Sequence, residues 1–387
     1  MINILNNSLK YIFLYTLLIF IGCSKKTNTP LSLEVNLKDT ISIPASDWFS
    51  SIDIIPLETS EHSLLYECTK IEFFNDRYYI FDFRQHAVFV FDITGKFLFN
   101  TLSSKGRGPK EYISMTDIAM NRTTGNLEIL DAYAHRIVIF DKDGLYIKDI
   151  KLPEDLLPLG QFQSLSKDIY LFYSASSDEN RECIYVFDAQ RQKVIKKMFM
   201  LYSYENDIVK TRMNPFFWMD TIMAFSHTLP NNDIYQIDTN LNIKKLFSYN
   251  FGNNTFDAST LPKNENPSFY RSFVSTHIGK YVFPFEIFEN TKYYFCFFLF
   301  NNAFYIARHQ KTSDYRYFTG EVINARFNDG GMIHLPILFD NNYLYNIIEP
   351  SWLPFMVNKT LLTDRQKEML HAIPDDNNPI ILKYKLR

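Results

Sequence analysis

The residues best equipped to do chemistry gather around one loop, Ser104-Lys105-Gly106-Arg107-Gly108-Pro109-Lys110-Glu111-Tyr112. Lys105, Arg107, Lys110, Glu111 and Tyr112 are of types that grip a ligand. The loop has an architectural reading too, because Gly106 and Gly108 fit unusual backbone angles and Pro109 fits a stiffened crossover. Arg107 and Glu111 fit an ion pair with each other as well as they fit contact with a partner. Arg84 and His86 stand before the loop, Tyr133 and His135 after it. The two histidines fall at matched places in two near-copies, where a turn hydrogen bond is the simpler role. A second chemistry needs a metal, and Glu72, Asp117 and His334 could contribute ligands to one. No P-loop, HExxH, GxSxG or CxxC pattern is present.

The elements that must position these residues repeat. YYIFDFRQHAVFVFDITGKFL, from Tyr78, and LEILDAYAHRIVIFDKDGLYI, from Leu127, agree in a strand ending in Asp (Asp82, Asp131). They agree again in a His four positions on, in Phe-Asp ten on (Asp92, Asp141) and in a Gly turn (Gly95, Gly144). Four β-runs precede each turn back to the centre: CTKIEFF, RYYIFD, AVFVFD and KFLFNTL, then ISMTDIAMN, NLEILD, RIVIFD and LYIKDI. Asp92, Asp141, Asp188 and Asp238 follow one another at 49, 47 and 50 residues. Four strands at a period of about 40–50 residues are the mark of a β-propeller blade.

YYFCFFLF, AFYIAR and YRYF supply a fifth unit, and MIHLPILF, YLYNII and PIILKYKL three strands of a sixth. The orphan strand Trp48 to Leu57 is expected to complete that last blade and close the ring, which removes two exposed sheet edges. The fold expected is therefore all-β, a six-bladed β-propeller of four-stranded antiparallel blades. Asn250 to Lys280 shows no clear pattern, so five or seven blades stay open. One helix is expected, Thr363 to Leu370, opened by a Thr cap with Gln366 three residues on.

The 387 residues suffice for one large β domain, and 17% aromatic residues favour strands and large buried area. A net charge of −3 without a long basic run excludes a nucleic-acid role. The apolar run Tyr11 to Ile21 is too short for a bilayer span of about 20 residues and reads as a secretory signal. It ends in Phe20-Ile21-Gly22-Cys23, which resembles a bacterial lipobox with Cys23 as the lipidated residue. The organisation expected is a lipoprotein signal over 1–23, a polar tether over 24–46 and the propeller over 47–387. Cys68, Cys183 and Cys296 remain as an odd number in an oxidising compartment, and Cys183 and Cys296 read as buried free thiols.

The second unit is similar to the NHL repeat, with Ala134 in place of its Asn. Lys105 to Tyr112, Ile55-Pro56-Leu57-Glu58-Thr59 and Asp375-Asp376-Asn377-Asn378-Pro379-Ile380 resemble stretches of the six-bladed β-propeller lipoproteins of Bacteroidota. Lys110 stands where that family has Gly. The resemblance implies the fold and a lipid anchor. It also implies a place in the cell envelope, on the periplasmic side because Lys25 and Lys26 replace the acidic residues of surface-exported relatives.

Because turns alternate between the two faces of a blade, Arg84, His86, Tyr133, His135, the turn Ser174 to Arg181 and His227 share a face with the Lys105–Tyr112 loop. The helix near Thr363 joins them there. Loops on a rigid scaffold carry binding sites, so this is the expected binding face. Two functions follow. One is a non-catalytic, membrane-tethered scaffold that binds a protein or glycan partner in an uptake or sensing system, with no cofactor. The other is a metal-dependent hydrolase or lyase with a divalent ion in the central channel, held by Asp117 and His334.

Overall fold

The computed structural model describes residues 31–387 apart from 155, 157–159, 175–180, 202–213, 220, 228–230, 258–259, 261–266, 312–320, 334 and 341. The signal, Cys23 and the two lysines beyond it lie outside the described residues.

The described residues open with three strands, β1 (Leu31–Glu34), β2 (Thr40–Ile41) and β3 (Phe49–Pro56). Six sheets follow. Blade one is β4 (Cys68–Phe74), β5 (Arg77–Asp82), β6 (Ala87–Asp92) and β7 (Phe97–Asn100). Blade two is β8 (Asp117–Asn121), β9 (Asn126–Asp131), β10 (Arg136–Phe140) and β11 (Tyr146–Lys151). Blade three is β12 (Gln161–Ser164), β13 (Ile169–Tyr173), β14 (Arg181–Asp188) and β15 (Lys193–Leu201). Blade four is β16 (Phe216–Met219), β17 (Ile222–Phe225), β18 (Asp233–Ile237) and β19 (Ile243–Asn250). Blade five is β20 (Phe283–Glu289), β21 (Tyr293–Phe300), β22 (Ala303–Gln310) and β23 (Glu321–Asn324). Blade six is β24 (Leu338–Asp340), β25 (Tyr343–Ile348), β26 (Ile380–Leu386) and, from the chain start, β3. The register Ile380↔Pro56 through Leu386↔Phe49 closes the ring as the sequence predicts.

Three features differ from the sequence expectation. Residues 31–46 are not all tether: β1 extends blade four beside β19, and β2 pairs in parallel with β23 on blade five. The N-terminal segment thus visits the outer edges of blades four, five and six in turn, covering open strand edges that would otherwise invite pairing with another chain. Blade five begins with β20 and ends with Glu321–Asn324, whereas the run Tyr315 to Phe318, expected as part of this unit, lies outside the described residues. Asn250 to Lys280 contains a helix, α1 (Pro267–His277), opened by a proline at a position where its missing N–H costs nothing. Phe269, Phe273 and His277, four apart, stack along one of its sides, with the last two rings 4.1 Å apart.

Two further helices, α2 (Leu353–Met356) and α3 (Asp364–Met369), interrupt blade six between β25 and β26. The Thr363 cap with Gln366 is formed in both directions, as the sequence signals.

The core is distributed between blades. Tyr79, Val88, Val138 and Phe140 join blades one and two, and Phe162, Phe172 and Phe187 pack against Leu130 and Ile139 to join blades two and three. Trp48, Phe49, Phe295 and Tyr384 join blades five and six. Each such ring contributes roughly 1.5–3 kcal/mol by leaving water, so contacts between blades carry much of the core. Tight turns follow local chemistry. Asn75 and Asp76, at φ 48° and 58°, make the two-residue hairpin between β4 and β5. Gly95, at φ 87°, sits so close to blade six that a Cβ there would lie 2.2 Å from the Pro56 carbonyl oxygen.

Candidate functional site

The crossover from β7 to β8 is held by its own residues. Tyr112 N–H donates to Ser104 O at 2.9 Å, and Gly106 N–H donates to Tyr112 O at 2.9 Å. The Glu111 carboxylate folds back to accept from Gly108 N–H at 2.6 Å. A Cβ on Gly106 would meet that carboxylate at 2.1 Å, so the glycine makes room for it. Tyr112 is wholly buried; its hydroxyl donates to His86 O at 3.0 Å and lies 2.8 Å from the Thr101 hydroxyl. Of the residues expected on the binding face, Tyr112 therefore belongs to the core, and Glu111 serves the loop rather than pairing with Arg107.

The remaining candidates do come together. Lys105 Nζ donates to Gln85 O at 3.0 Å. His86 and His135 both occupy left-handed turn positions, φ 49° and 51°, and His86 Nδ1 lies 3.0 Å from Met115 O. Arg136 donates to the Glu111 carbonyl. The two strand-ending aspartates do equivalent work. Asp82 accepts from Tyr66 N–H at 2.6 Å and Gln85 N–H at 3.0 Å, and Asp131 accepts from Ile113 N–H at 2.8 Å and Ala134 N–H at 3.2 Å. Each pins the incoming crossover to its own blade's turn, which is why the repeat keeps this residue.

Arg84 lies over the Tyr66 ring, 5.5 Å from its centroid, and Lys110 over Tyr146 at 5.9 Å. Arg107 is exposed and has no hydrogen bond or ion pair among the described residues. His227 is packed among Tyr173, Phe199 and Phe225, and burial lowers its pKa to about 4, so it is neutral at pH 7. Most of the turn Ser174 to Arg181 lies outside the described residues.

Of the exposed aromatic residues on this face, the sequence singled out Tyr133 and missed the rest. Tyr66, Phe83, Tyr133, Trp352 and Phe355 are the exposed aromatic side chains among the described residues. All lie on connections between second and third strands or between blades, the same face as the crossover. Tyr133 and Phe355 are each 71% exposed. In a chain so rich in Phe and Tyr, nothing local separates Tyr66, Phe83, Trp352 and Phe355 from the core.

A cavity of about 460 Å³ opens on this face where blades one and six meet, between the β3–β4 link, the end of β25 and α2. Its walls include Tyr66, Ile348, Trp352 and Met356, with Glu67 and Glu349 as the charged lining residues.

The channel candidates are engaged. Lys70 Nζ lies 3.0 Å from Asp117 Oδ1 and 3.7 Å from Glu72 Oε1, and Asp117 Oδ2 accepts from Phe162 N–H at 2.9 Å. Burial works against the Lys70 charge, but Asp117 and Glu72 outweigh it and hold its pKa above the usual lysine value. The ammonium thus stands between the two carboxylates that the metal reading assigns to a cation. His334 lies outside the described residues, and no cluster of three potential ligands occurs among the described ones. Nearby, between blades two and three, Glu128 is buried with Oε1 2.9 Å from both Asn121 Nδ2 and the Tyr170 hydroxyl, and burial raises its pKa to about 7.

Cys183 and Cys296 are buried free thiols and Cys68 is a partly buried one. No helix among the described residues is long and apolar enough to cross a membrane.

With the ring and its loop face defined, the chain falls in the class of six-bladed β-propellers built from four-stranded antiparallel blades. Residues 29–385 match the DUF4934 family, a domain of unknown function, and the chain belongs to that family. Among solved structures it is similar to a Bacteroides fragilis protein described as exported, at 17% identity and a TM-score of 0.71, covering 93% of this chain and 100% of that one. It is also similar to a DUF4221 family member from Bacteroides vulgatus, at 8% identity and a TM-score of 0.52, covering 87% and 98%. At these identities the likeness is one of fold. No curated protein matches the sequence.

Proposed function

We propose that this propeller is a non-catalytic binding module of the bacterial cell envelope, lipid-anchored through Cys23 and facing the periplasm, whose loop face docks a protein partner. The observation that carries the reading is the confinement of the five exposed aromatic side chains to that face. Interface hot spots favour Trp, Tyr and Arg set among other polar groups, and here Arg84, Arg107 and Lys110 share the face with Glu67 and Glu349. A protein surface can answer charges of both signs. The lipobox-like Cys23 and the exported Bacteroides fragilis relative support the location. Hydrolysis or lyase chemistry through a channel metal has less support, because the Lys70 ammonium already stands beside Asp117 and Glu72.

The test is site-specific photo-crosslinking in envelopes of the source bacterium. A benzophenone side chain at Tyr133 or Phe355 is expected to yield a discrete, protease-sensitive adduct, and one at Ile93 or Leu145, on the hairpins away from the loop face, none. Adducts from both sets, or from neither, would overturn the reading. A protease-resistant adduct would mean a glycan partner.

A further inference from the structure

We propose that the cavity at the junction of blades one and six receives a basic side chain, lysine or arginine, carried by an exposed segment of the protein partner. The inference rests on the loop face being the partner-binding one and names what that face recognises.

A lysine or arginine side chain has an apolar stem and a charged tip, and the cavity has a place for each. Ile348, Met356 and the Trp352 ring offer apolar wall to the stem, and Glu67 and Glu349 offer charge to the tip. Both carboxylates are exposed and neither has an ion-pair partner among the described residues. Burial pushes the Cys68 thiol up, and the carboxylates of Asp82 and Glu349 push it the same way. The rim already shows the interaction, since the Arg84 guanidinium rests over Tyr66 at 5.5 Å. That leaves Trp352, 59% exposed, as the ring for an incoming cation.

Two observations choose the occupant. A neutral sugar brings no positive charge to answer two carboxylates. A free small amine would leave the neighbouring surface uncovered, because the exposed aromatic area continues past the cavity to Phe355, three residues and nearly one helical turn beyond Trp352. A polypeptide that inserts one basic side chain and lays an apolar neighbour on Phe355 covers both.

Trp352 reports on the site directly, since Trp48 is buried and Trp218 lies in the channel. The fluorescence of residues 31–387 is to be titrated with acetylated, amidated pentapeptides Ala-Leu-X-Leu-Ala, where X is arginine, lysine, norleucine or glutamate. Expected is a saturable change with arginine and lysine, absent in Trp352→Phe, with norleucine at least about tenfold weaker and glutamate silent. The double variant Glu67→Gln/Glu349→Gln should bind the arginine peptide at least about tenfold more weakly with an unchanged melting temperature.

Equal binding of the norleucine and arginine peptides would overturn the proposal, as would the absence of any saturable change at millimolar peptide. Binding of butylamine as tight as that of the peptides would make it a small-molecule site and overturn it too. If the crosslinked partner is still captured by the double variant but lost on Tyr133→Ala, the face stands and the basic-side-chain pocket falls. If no loop-face variant affects capture, the function proposed for the face itself fails.

Discussion

The ring has two unlike sides. On one, hairpins such as Asn75-Asp76 and Asp92 to Lys96 are short, and the second is capped by its own Asp92 side chain and packed against blade six. On the other run the crossovers and, among the described residues, the helices α1, α2 and α3 and the five exposed aromatic rings. The first side is where backbone geometry is satisfied, and its residues are replaceable only at a cost in stability. The second is where side chains are left over after the fold is satisfied. That surplus is the physical meaning of a binding face, and it makes the two sides separable by experiment.

The scaffold should show the largest loss. Lys70→Ala leaves the buried Asp117, with the half-buried Glu72 beside it, without the ammonium, and is expected to lower stability by about 3–5 kcal/mol in urea unfolding; a loss under 1 kcal/mol would mean that the channel is wetter than its geometry implies.

Next comes Glu128. Its pKa is raised from 4.5 to about 7 by burial, so between those values the folded chain holds a proton that the unfolded chain has released. Stability should therefore be full below about pH 4.5 and fall as pH rises through 7, by up to about 3 kcal/mol, then level off. Unfolding curves of Glu128→Gln should lack this slope, and an identical slope in the variant would assign it elsewhere.

Gly95→Ala forces a Cβ toward the Pro56 carbonyl at a positive φ and should cost about 1–3 kcal/mol while leaving peptide binding at Trp352 unchanged. The smallest stability effect belongs to the loop face. Tyr133→Ala should move unfolding by less than about 0.5 kcal/mol yet abolish the crosslinked adduct. If Tyr133→Ala destabilised as much as Gly95→Ala, the contrast between the two sides would collapse.

The repeat was legible because its chemistry is local. Asp82 and Asp131 pin crossovers, Asp92 and Asp141 cap hairpins, and Gly95 and Gly144 turn them, all within short stretches of chain. The closing strand was legible because an orphan strand and an incomplete last blade needed each other. The β1 and β2 pairings were not, since Leu31–Glu34 and Thr40–Ile41 are too short to show a pattern and gain their partners only from edges hundreds of residues away. The α1 helix was missed because it lies among segments with no regular period. Tyr112 was read as surface, and whether a tyrosine faces water or lies beneath a returning loop is not a local property.

Strand period, turn chemistry and the cap at Thr363 were thus determined by the sequence itself, because each depends on neighbours within a few residues. The cavity beside Trp352 was decided by tertiary structure alone. Its walls come from the first crossover and from the insertion near the chain's end, and only ring closure by β3 against β26 brings Glu67 and Glu349 to one mouth.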